Sequence, residues 1–336
     1  MRGKALLLGS VSSLATIAVA VSAAHAQSVA PGANGYTFSV QGGALFSTPD
    51  STLSDKAGEK TGSGSGFSGG TTLQDLPTDI GYNAAFTLGK KLDGNWDIAF
   101  GASMNRLLEN SGSLTFSGFS GNGASGSAAR FQTFSGGTTV STNFGFETAD
   151  FEVGFTPHLD NNVNVRLFGG IRALHFNNNV DKTGLASVSG FSGSSSFNYV
   201  ISGDESISSD FLGAGPRIGI SAARRFDGSN FGLSGSLAAA AIFGRQTDTA
   251  KISAVATGSG APTGGGISGF SSTATKTVVD VDGSLGIDYY LDDASALTVG
   301  YHAEELFNVG TNSSGSSSPQ TNKLVSGPFV KFSGSF

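Results

Sequence analysis

Residues 163–176 read Val-Asn-Val-Arg-Leu-Phe-Gly-Gly-Ile-Arg-Ala-Leu-His-Phe, and this stretch decides the fold. Its odd positions, from Val163 to Ala173, are almost all apolar, whereas Arg166 and Arg172 lie on the even positions. In a β-strand, successive side chains point to opposite faces of the sheet. The stretch therefore predicts a long strand with one apolar face and one charged face.

The same alternation recurs along the chain, for example in residues 96–104 and 275–291. It predicts ten strands, near 36–46, 80–89, 96–109, 143–157, 163–176, 209–223, 231–245, 275–291, 296–309 and 323–336.

The connections between these strands alternate in length. Short turn-like links lie at 89–95, 158–162, 224–230 and 292–295, and Gly/Ser/Thr-rich tracts expected to be loops lie at 47–79, 110–142, 177–208, 246–274 and 310–322. Tight turns at one end and long loops at the other are typical of outer-membrane barrels. We therefore predict an all-β fold, a transmembrane antiparallel up-and-down β-barrel of about ten strands with long Gly/Ser-rich outer loops. Eight or twelve strands would also fit.

The composition excludes several classes of protein. The 336 residues include only 13% charged residues, against about 25% in a typical soluble domain. Acids outnumber bases, with a net charge of −6, so the chain lacks the basic excess that a nucleic-acid binder needs. The absence of cysteine excludes disulfides and thiolate metal sites. A soluble β-sandwich also alternates, but its strands are usually only five or six residues long.

The first 26 residues predict an export signal. Arg2 and Lys4 precede an apolar run, and Ala24-His25-Ala26 fits a cleavage site for signal peptidase. The longest later apolar run, residues 237–243, is far shorter than the roughly 20 residues of a membrane helix. We therefore expect residues 27–336 to form one barrel in the cell outer membrane of a diderm bacterium.

Aromatic residues cluster near the predicted strand ends, as the two interfacial girdles of such barrels require. The set near the short turns is Tyr36, Trp96, Phe155, Phe231, Tyr289 and Phe336, and the set near the long tracts is Phe46, Tyr82, Phe144, Phe176, Phe211, Phe243 and Phe307. A last strand ending in phenylalanine, here Phe336, is similar to the assembly signal of bacterial outer-membrane barrels. The barrel assembly machinery is therefore an expected partner.

The tetrapeptide Ser-Gly-Phe-Ser occurs once in each of the four long tracts, with its phenylalanine at Phe67, Phe119, Phe191 and Phe270. These phenylalanines could cap or narrow the barrel mouth, or present a surface to a partner. The alternative is simple compositional bias in a low-complexity tract.

No catalytic constellation stands out. Residues 66–70 match G-x-S-x-G, but they lie in a glycine-rich tract and not between a strand and a helix. His302 and Glu304 share a strand face, where an ordinary hydrogen bond fits better than activation of a serine. Ten-stranded outer-membrane proteases are similar in size, but their Asp-x-His pair is absent. We expect no enzyme activity, cofactor or metal.

The remaining candidates are charged residues that alternation turns into the lumen. Placing them inward is favourable, because Arg or Lys on the lipid face costs roughly 2–4 kcal/mol at the bilayer midplane. The predicted pore-lining residues are Arg166, Arg172, Arg217, Asp280, Asp282, Asp288 and Glu304, with Glu152 and His302 on the same face. These charges could line a water-filled pore and bias which ions pass, or they could pair and fill a narrow lumen.

Four segments in the C-terminal half are similar to one family: residues 166–172, 210–217 and 283–290, and Tyr-His-Ala-Glu-Glu at 301–305. Together with the Phe-ended last strand, they resemble the Legionella-type major outer membrane protein family of pore-forming barrels. The resemblance implies a porin-like protein for passive diffusion of small hydrophilic solutes or ions. The alternative is a structural or adhesin-like barrel acting through its outer loops. Expected partners are outer-membrane lipids and, as a homo-oligomer, further copies of the chain.

Overall fold

The structure is a computed structural model that describes residues 35–47, 67–73, 79–122, 130–157, 163–192, 195–261, 265–309 and 322–336. The predicted signal peptide and its cleavage site lie outside these residues. No helix in the described part of the chain has the length and hydrophobicity to cross a membrane.

The described residues form one antiparallel sheet of twelve strands. The strands are β1 (Tyr36–Ser47), β2 (Phe67–Leu73), β3 (Asp79–Lys91), β4 (Trp96–Leu107), β5 (Asn110–Asn122), β6 (Arg130–Phe155), β7 (Val163–Ser192), β8 (Ser195–Arg225), β9 (Phe231–Ser259), β10 (Gly266–Tyr290), β11 (Ser295–Phe307) and β12 (Lys323–Ser335). Their order is β2-β5-β6-β4-β3-β1-β12-β11-β10-β9-β8-β7, and the pairing of β6 with β7 closes the sheet on itself. The predicted transmembrane-type barrel is confirmed.

Ten strand positions surround the barrel. The long strand β6 pairs with β4 through residues 145–155 and with β5 through residues 130–142. Strand β5 therefore continues the ring position of β4. In the same way β2 pairs with β5 and prolongs the position of β3, which pairs with β4. The described chain therefore has the ten positions that alternation predicts.

The strands are strongly tilted. A row of directly paired residues can be followed once around the ring, starting at Ser234 on β9. The row crosses each of the nine other strand positions and returns to β9 at Gln246, twelve residues further along. Such a stagger requires the strands to tilt by about 40° from the barrel axis.

One strand spans the lipid-facing band from end to end. Tyr36 and Phe46 stand at the two ends of β1, both 39% exposed, with Val40 between them at 57%. Ten residues at about 3.3 Å each and a tilt near 40° correspond to about 25 Å, the height of the apolar band of outer-membrane barrels.

The short links that the structure describes, at 92–95, 226–230 and 291–294, lie at one end of the barrel, here called the turn end. The termini also meet there, because Tyr36 and Phe336 exchange backbone hydrogen bonds of 3.2 and 3.0 Å. In the β10–β11 turn, the carboxylate of Asp292 accepts hydrogen bonds from the Ser295 hydroxyl and the Ala294 N–H, which lower the pKa of Asp292.

The opposite end differs from the sequence prediction. Most of the tracts predicted as loops continue as strands: β6 to β10 are 25 to 31 residues long. Only 9–11 residues are needed to cross a bilayer. The barrel wall offers each strand a paired neighbour on which to continue, and this pairing outweighs the low strand propensity of Gly and Ser. The structure therefore projects a β-sheet far beyond the lipid-facing band.

The predicted aromatic girdle at the turn end is present. Its members form ring pairs, Tyr36 with Phe336, Trp96 with Phe155 and Phe231 with Tyr289, at 5.7, 5.1 and 5.2 Å between ring centroids. At the other end, Phe46, Tyr82 and Phe243 are exposed on the outer face, with Phe307 partly exposed.

The assignment of Phe144, Phe176 and Phe211 to the outer girdle is wrong. All three are 0–5% exposed and lie inside the barrel. The reason is strand parity: Phe176 is four residues from Arg172, so both side chains project from the same face of β7.

Candidate functional site: a charged and apolar lumen

The strands bring charged residues from distant parts of the sequence onto one inner wall. Arg166 and Arg172 come from β7, Arg217 comes from the neighbouring β8, and each is 5–7% exposed. Carboxylates from β4, β6, β10 and β11 face them: Asp97, Asp150, Glu152, Asp280, Asp282 and Glu304. These nine side chains are called the lumen ion network below.

Arg172 lies at its centre. Its Nε and Nη2 donate to the two oxygens of Asp150 at 2.7 and 2.8 Å. Its Nη1 is 2.5 Å from Asp280 Oδ2, 3.2 Å from Asp282 Oδ2 and 3.3 Å from Glu304 Oε1. One guanidinium thus holds four carboxylates from three strands, using the fork geometry that lysine lacks.

The other two arginines extend the network toward the turn end. Arg217 reaches Asp150 and Asp282, each at 3.1 Å. Arg166 donates to Asp97 at 2.7 Å and to Glu152 at 2.9 Å.

Two close packing contacts hold these arginines in place. A Cβ on Gly154 would lie 2.3 Å from Arg166 Nε, so only glycine leaves room for that side chain. The guanidinium carbons of Arg166 and Arg217 stand 5.0 and 5.6 Å from the ring centre of Phe168, which adds cation–π attraction.

The network has six carboxylates and three guanidiniums, an excess of three acids when all are ionised. Buried ion pairs contribute little net stability, because desolvation offsets their attraction, but removing one partner strands its neighbours. The arrangement therefore makes the lumen wall acidic and mechanically tied across β4, β6, β7, β8, β10 and β11.

Six of the seven predicted lumen residues meet in this network, and Asp288 does not. Asp288 lies nearer the turn end, where its Oδ1 accepts hydrogen bonds from Ser234 at 2.8 Å and Thr298 at 2.5 Å. His302 stands beside the network, with Nε2 3.5 Å from Glu304 Oε2. Sequence reasoning missed Asp97 and Asp150, although Asp150 is two residues before the inward Glu152 and so shares its face.

An apolar layer crosses the lumen next to the ion network. On β7, Arg172 is followed on the inner face by Leu174 and then Phe176, and on β10 Asp280 is followed by Val278 toward the projecting end. Every ring position except β3 contributes. We call this layer the apolar belt: Leu45, Leu107, Phe144, Phe146, Leu174, Phe176, Phe211, Ala240, Ile242, Val278, Leu306, Val309 and Val325.

The apolar belt is dry and tightly packed. Its side chains are 0–5% exposed. Phe176 and Phe211 stack with ring centroids 5.1 Å apart, and Phe144 packs against Phe146 and Phe176 at 5.9 and 6.2 Å. A water-filled channel through this level would expose these side chains, so the belt closes the lumen.

Polar side chains lie on both sides of the apolar belt. On the turn side, a cavity of about 250 Å³ extends from the ion network to Gln41, Ser103 and Lys331 on the opposite wall. On the projecting side, Lys323 pairs with Asp79 at 3.1 Å, and buried Gln246 donates to Asp248 at 2.8 Å.

The described residues of the four Ser-Gly-Phe-Ser motifs lie at the far ends of projecting strands. The backbones of the first two pair with each other, Ser68 opposite Phe119. Phe191 and Phe270 are 58% and 41% exposed. The side chains of Phe67 and Phe119 are outside the described part of the structure.

With the barrel and its lumen described, the chain can be compared with known proteins. Residues 35–336 match the family described as the Legionella pneumophila major outer membrane protein precursor. The chain belongs to this family. It is therefore an outer-membrane β-barrel protein, and the family resemblance of the C-terminal segments extends over nearly the whole chain. No functionally curated protein is similar enough in sequence to match it.

Several solved outer-membrane barrels match this chain at low identity and low TM-score. The outer membrane protease OmpT of Escherichia coli is 10% identical with a TM-score of 0.43, covering 92% of this chain and 99% of its own. The toluene transporter TodX of Pseudomonas putida is 9% identical with a TM-score of 0.22, covering 91% of each chain. The translocator domain of NalP from Neisseria meningitidis is 10% identical with a TM-score of 0.26, covering 98% and 97%. These similarities carry no information about activity.

Proposed function

We propose that this protein is a pore for the passive diffusion of small hydrophilic solutes or ions across the outer membrane. The observation that carries the proposal is the polar cavity of about 250 Å³ inside the closed barrel, lined by the lumen ion network. A barrel that served only as an anchor would not need a polar cavity at bilayer depth, where charged groups are costly.

The cavity has two unlike walls. Most charges lie on the β6–β8 and β10–β11 side, with Asp97 of β4 beside them. Other inward side chains of β1, β3 and β4 are short, such as Ser39, Ala85, Thr87 and Ser103. The cavity lies between these two walls. Since a water molecule occupies about 30 Å³ of liquid, the cavity suits hydrated ions and molecules of a few heavy atoms.

The acidic excess of the network predicts that the pathway favours cations over anions. When Lys331 on the opposite wall is counted, the six carboxylates of the network still exceed the four cationic side chains, and this excess raises the local concentration of cations. Arginine neutralisation should therefore strengthen any preference for cations.

We also propose that the barrel is not an enzyme. His302 and Glu304 face the lumen cavity, whereas membrane lipid lies outside the barrel wall. A lipid-hydrolysing site would need its nucleophile and base at the outer face or the rim.

Single-channel recording of the purified wild-type protein in planar bilayers tests the proposal. We expect discrete conductance steps from a preparation whose folded state is verified by heat-modifiable gel mobility. A sample boiled before reconstitution is the control and should give no steps. Correctly folded protein that stays silent, in the wild type and with the belt opened by mutation, would remove the pore from consideration.

A second candidate function is interaction at the cell surface through the projecting sheet. Several large apolar side chains are exposed there, including Leu185 and Phe191 at 58% and Ile267 at 89%. Removing residues 184–203, which pair with each other as the β7–β8 tip, tests this candidate. Loss of adhesion with unchanged conductance would favour a surface role, whereas unchanged adhesion would count against it.

The expected partners are proposals of the same kind. Phe336 ends the strand that closes the ring against β1, so the C-terminal strand is the segment we propose the barrel assembly machinery to recognise. The aromatic girdles are proposed to contact outer-membrane lipids. We also propose that copies of the barrel associate through their outer faces as a homo-oligomer.

A further inference from the structure

The lumen changes from polar to apolar and back to polar within a few residues along the barrel. On β9, buried Gln246 lies four residues beyond Ile242 of the apolar belt, and on β3 Asp79 lies just past the belt level. The ion network lies on the other side, for example at Asp280, two residues from Val278. The belt is thus a thin apolar partition between the polar cavity and a second group of polar side chains.

We propose that the apolar belt is the gate of the pore and sets which solutes pass, while the lumen ion network only shapes the approach to it. This inference rests on the proposed pore function. A constriction lined only by apolar side chains excludes water, and an ion that enters it loses hydration without gaining a polar partner. Such a partition blocks ions most strongly and small neutral solutes less.

The belt combines two kinds of side chain. One part is aromatic, with Phe144 and Phe146 from β6, Phe176 from β7 and Phe211 from β8. The other part is aliphatic and comes from short and long strands alike, for example Leu45 on β1, Leu107 on β4 and Ile242 on β9. The two parts are joined only by nonpolar contact, whereas the ion network below is tied by charged hydrogen bonds. Rotation of the stacked Phe176 and Phe211 rings is therefore the step we assign to opening.

The belt also predicts that the closed barrel holds back solutes that enter the cavity. The lining residues of the cavity stop short of Leu45 and Leu107, where the belt begins. We therefore expect solutes that enter from the turn end to reach the ion network and to stop at the belt.

Single-channel recording of belt variants tests the gate. Phe211→Ala removes one stacked ring, and Val278→Thr adds a hydroxyl to the belt with almost no change of shape. The second variant keeps the test valid if the first does not fold. The matched controls are their outward-facing neighbours, Leu212→Ala and Val279→Thr, which are 64% and 41% exposed.

We expect each inward variant to raise the open fraction by about tenfold or more, because wetting removes the main barrier, while each control stays within about twofold of wild type. If wild type and inward variants conduct equally, the belt is not the gate and the pore remains. If all variants are folded and silent, the gate and the pore function fail together. An equal increase in the inward variants and their outward controls would also overturn the gate, because it would show a general loosening of the wall.

Discussion

Replacing Arg172 by methionine should destabilise the barrel more than replacing any exposed arginine. Arg172 is 5% exposed and provides the hydrogen bond to Asp280, which is itself 0% exposed. The substitution keeps the length of the side chain but leaves four carboxylates without their shared cation. Removing one partner of a buried ion pair costs about 3–5 kcal/mol, so we expect the free energy of unfolding to fall by about that amount.

The matched control is Arg106→Met. Arg106 pairs with Glu147 on the outer face, where the two side chains are 34% and 44% exposed. Exposed pairs contribute about 0–1 kcal/mol, so this substitution should be nearly neutral. Adding Asp280→Asn to Arg172→Met removes the most deeply buried of the four carboxylates that lose their cation. We expect this second substitution to recover at least about 1 kcal/mol of the free energy of unfolding.

Urea unfolding in lipid vesicles, followed by tryptophan fluorescence, measures these differences. Trp96 is the single tryptophan of the sequence and lies at the turn end, half exposed on the lipid-facing side, so its emission reports insertion directly. If Arg172→Met and Arg106→Met agree within about 1 kcal/mol, the ion network does not hold the wall together and the reasoning is refuted.

Three further predictions follow from the lumen and the seam. Gly154→Ala should lower the free energy of unfolding in urea by about 1–3 kcal/mol, because its Cβ would lie 2.3 Å from Arg166 Nε. The control Gly101→Ala, whose Cβ would have its nearest atom at 3.6 Å, should be nearly neutral, and equal effects would contradict the packing argument. Deleting Phe336 should reduce the folded fraction seen by heat-modifiable gel mobility, because Phe336 stacks on Tyr36 and closes the ring. Phe336→Tyr should preserve the folded fraction, and an unchanged fraction after the deletion would count against a role in assembly. Replacing the three lumen arginines by glutamine in a conducting belt variant should move the reversal potential toward the cation equilibrium value, and an unchanged reversal potential would show that the lumen charges do not act on the permeating ion.

Alternation was sufficient to predict the ten ring positions and which face of a strand points outward. Leu167 and Ile171 are 48% and 58% exposed, while Arg166 and Arg172 are buried, as their odd and even positions require. The same rule, applied to the upper aromatics, would have placed Phe176 inside the barrel. The assignment of Phe176 to the girdle failed because it used only the distance of the residue from the strand end. Both the outer girdle and the apolar belt place aromatic side chains at that distance.

The partners within the ion network could not be predicted from the sequence. Arg166 meets Asp97, 69 residues earlier, because the twelve-residue stagger of the ring brings these two positions to the same height. Stagger depends on how all ten positions close together, and no single strand carries that information. The projecting strands were missed for a related reason, because Gly/Ser tracts adopt strand structure only when a neighbouring strand is already present.

The junction of β1 with β12 has a consequence for folding. It joins Tyr36 to Phe336, residues three hundred positions apart in sequence, so it is the contact of highest sequence separation in the ring. Closing a flexible chain of that length costs about 5 kcal/mol of entropy, and until it closes both edge strands present unpaired peptide groups to hydrocarbon. A barrel with nine strands in place is therefore less favourable in lipid than either a complete barrel or an uninserted chain, and insertion must be nearly all-or-none.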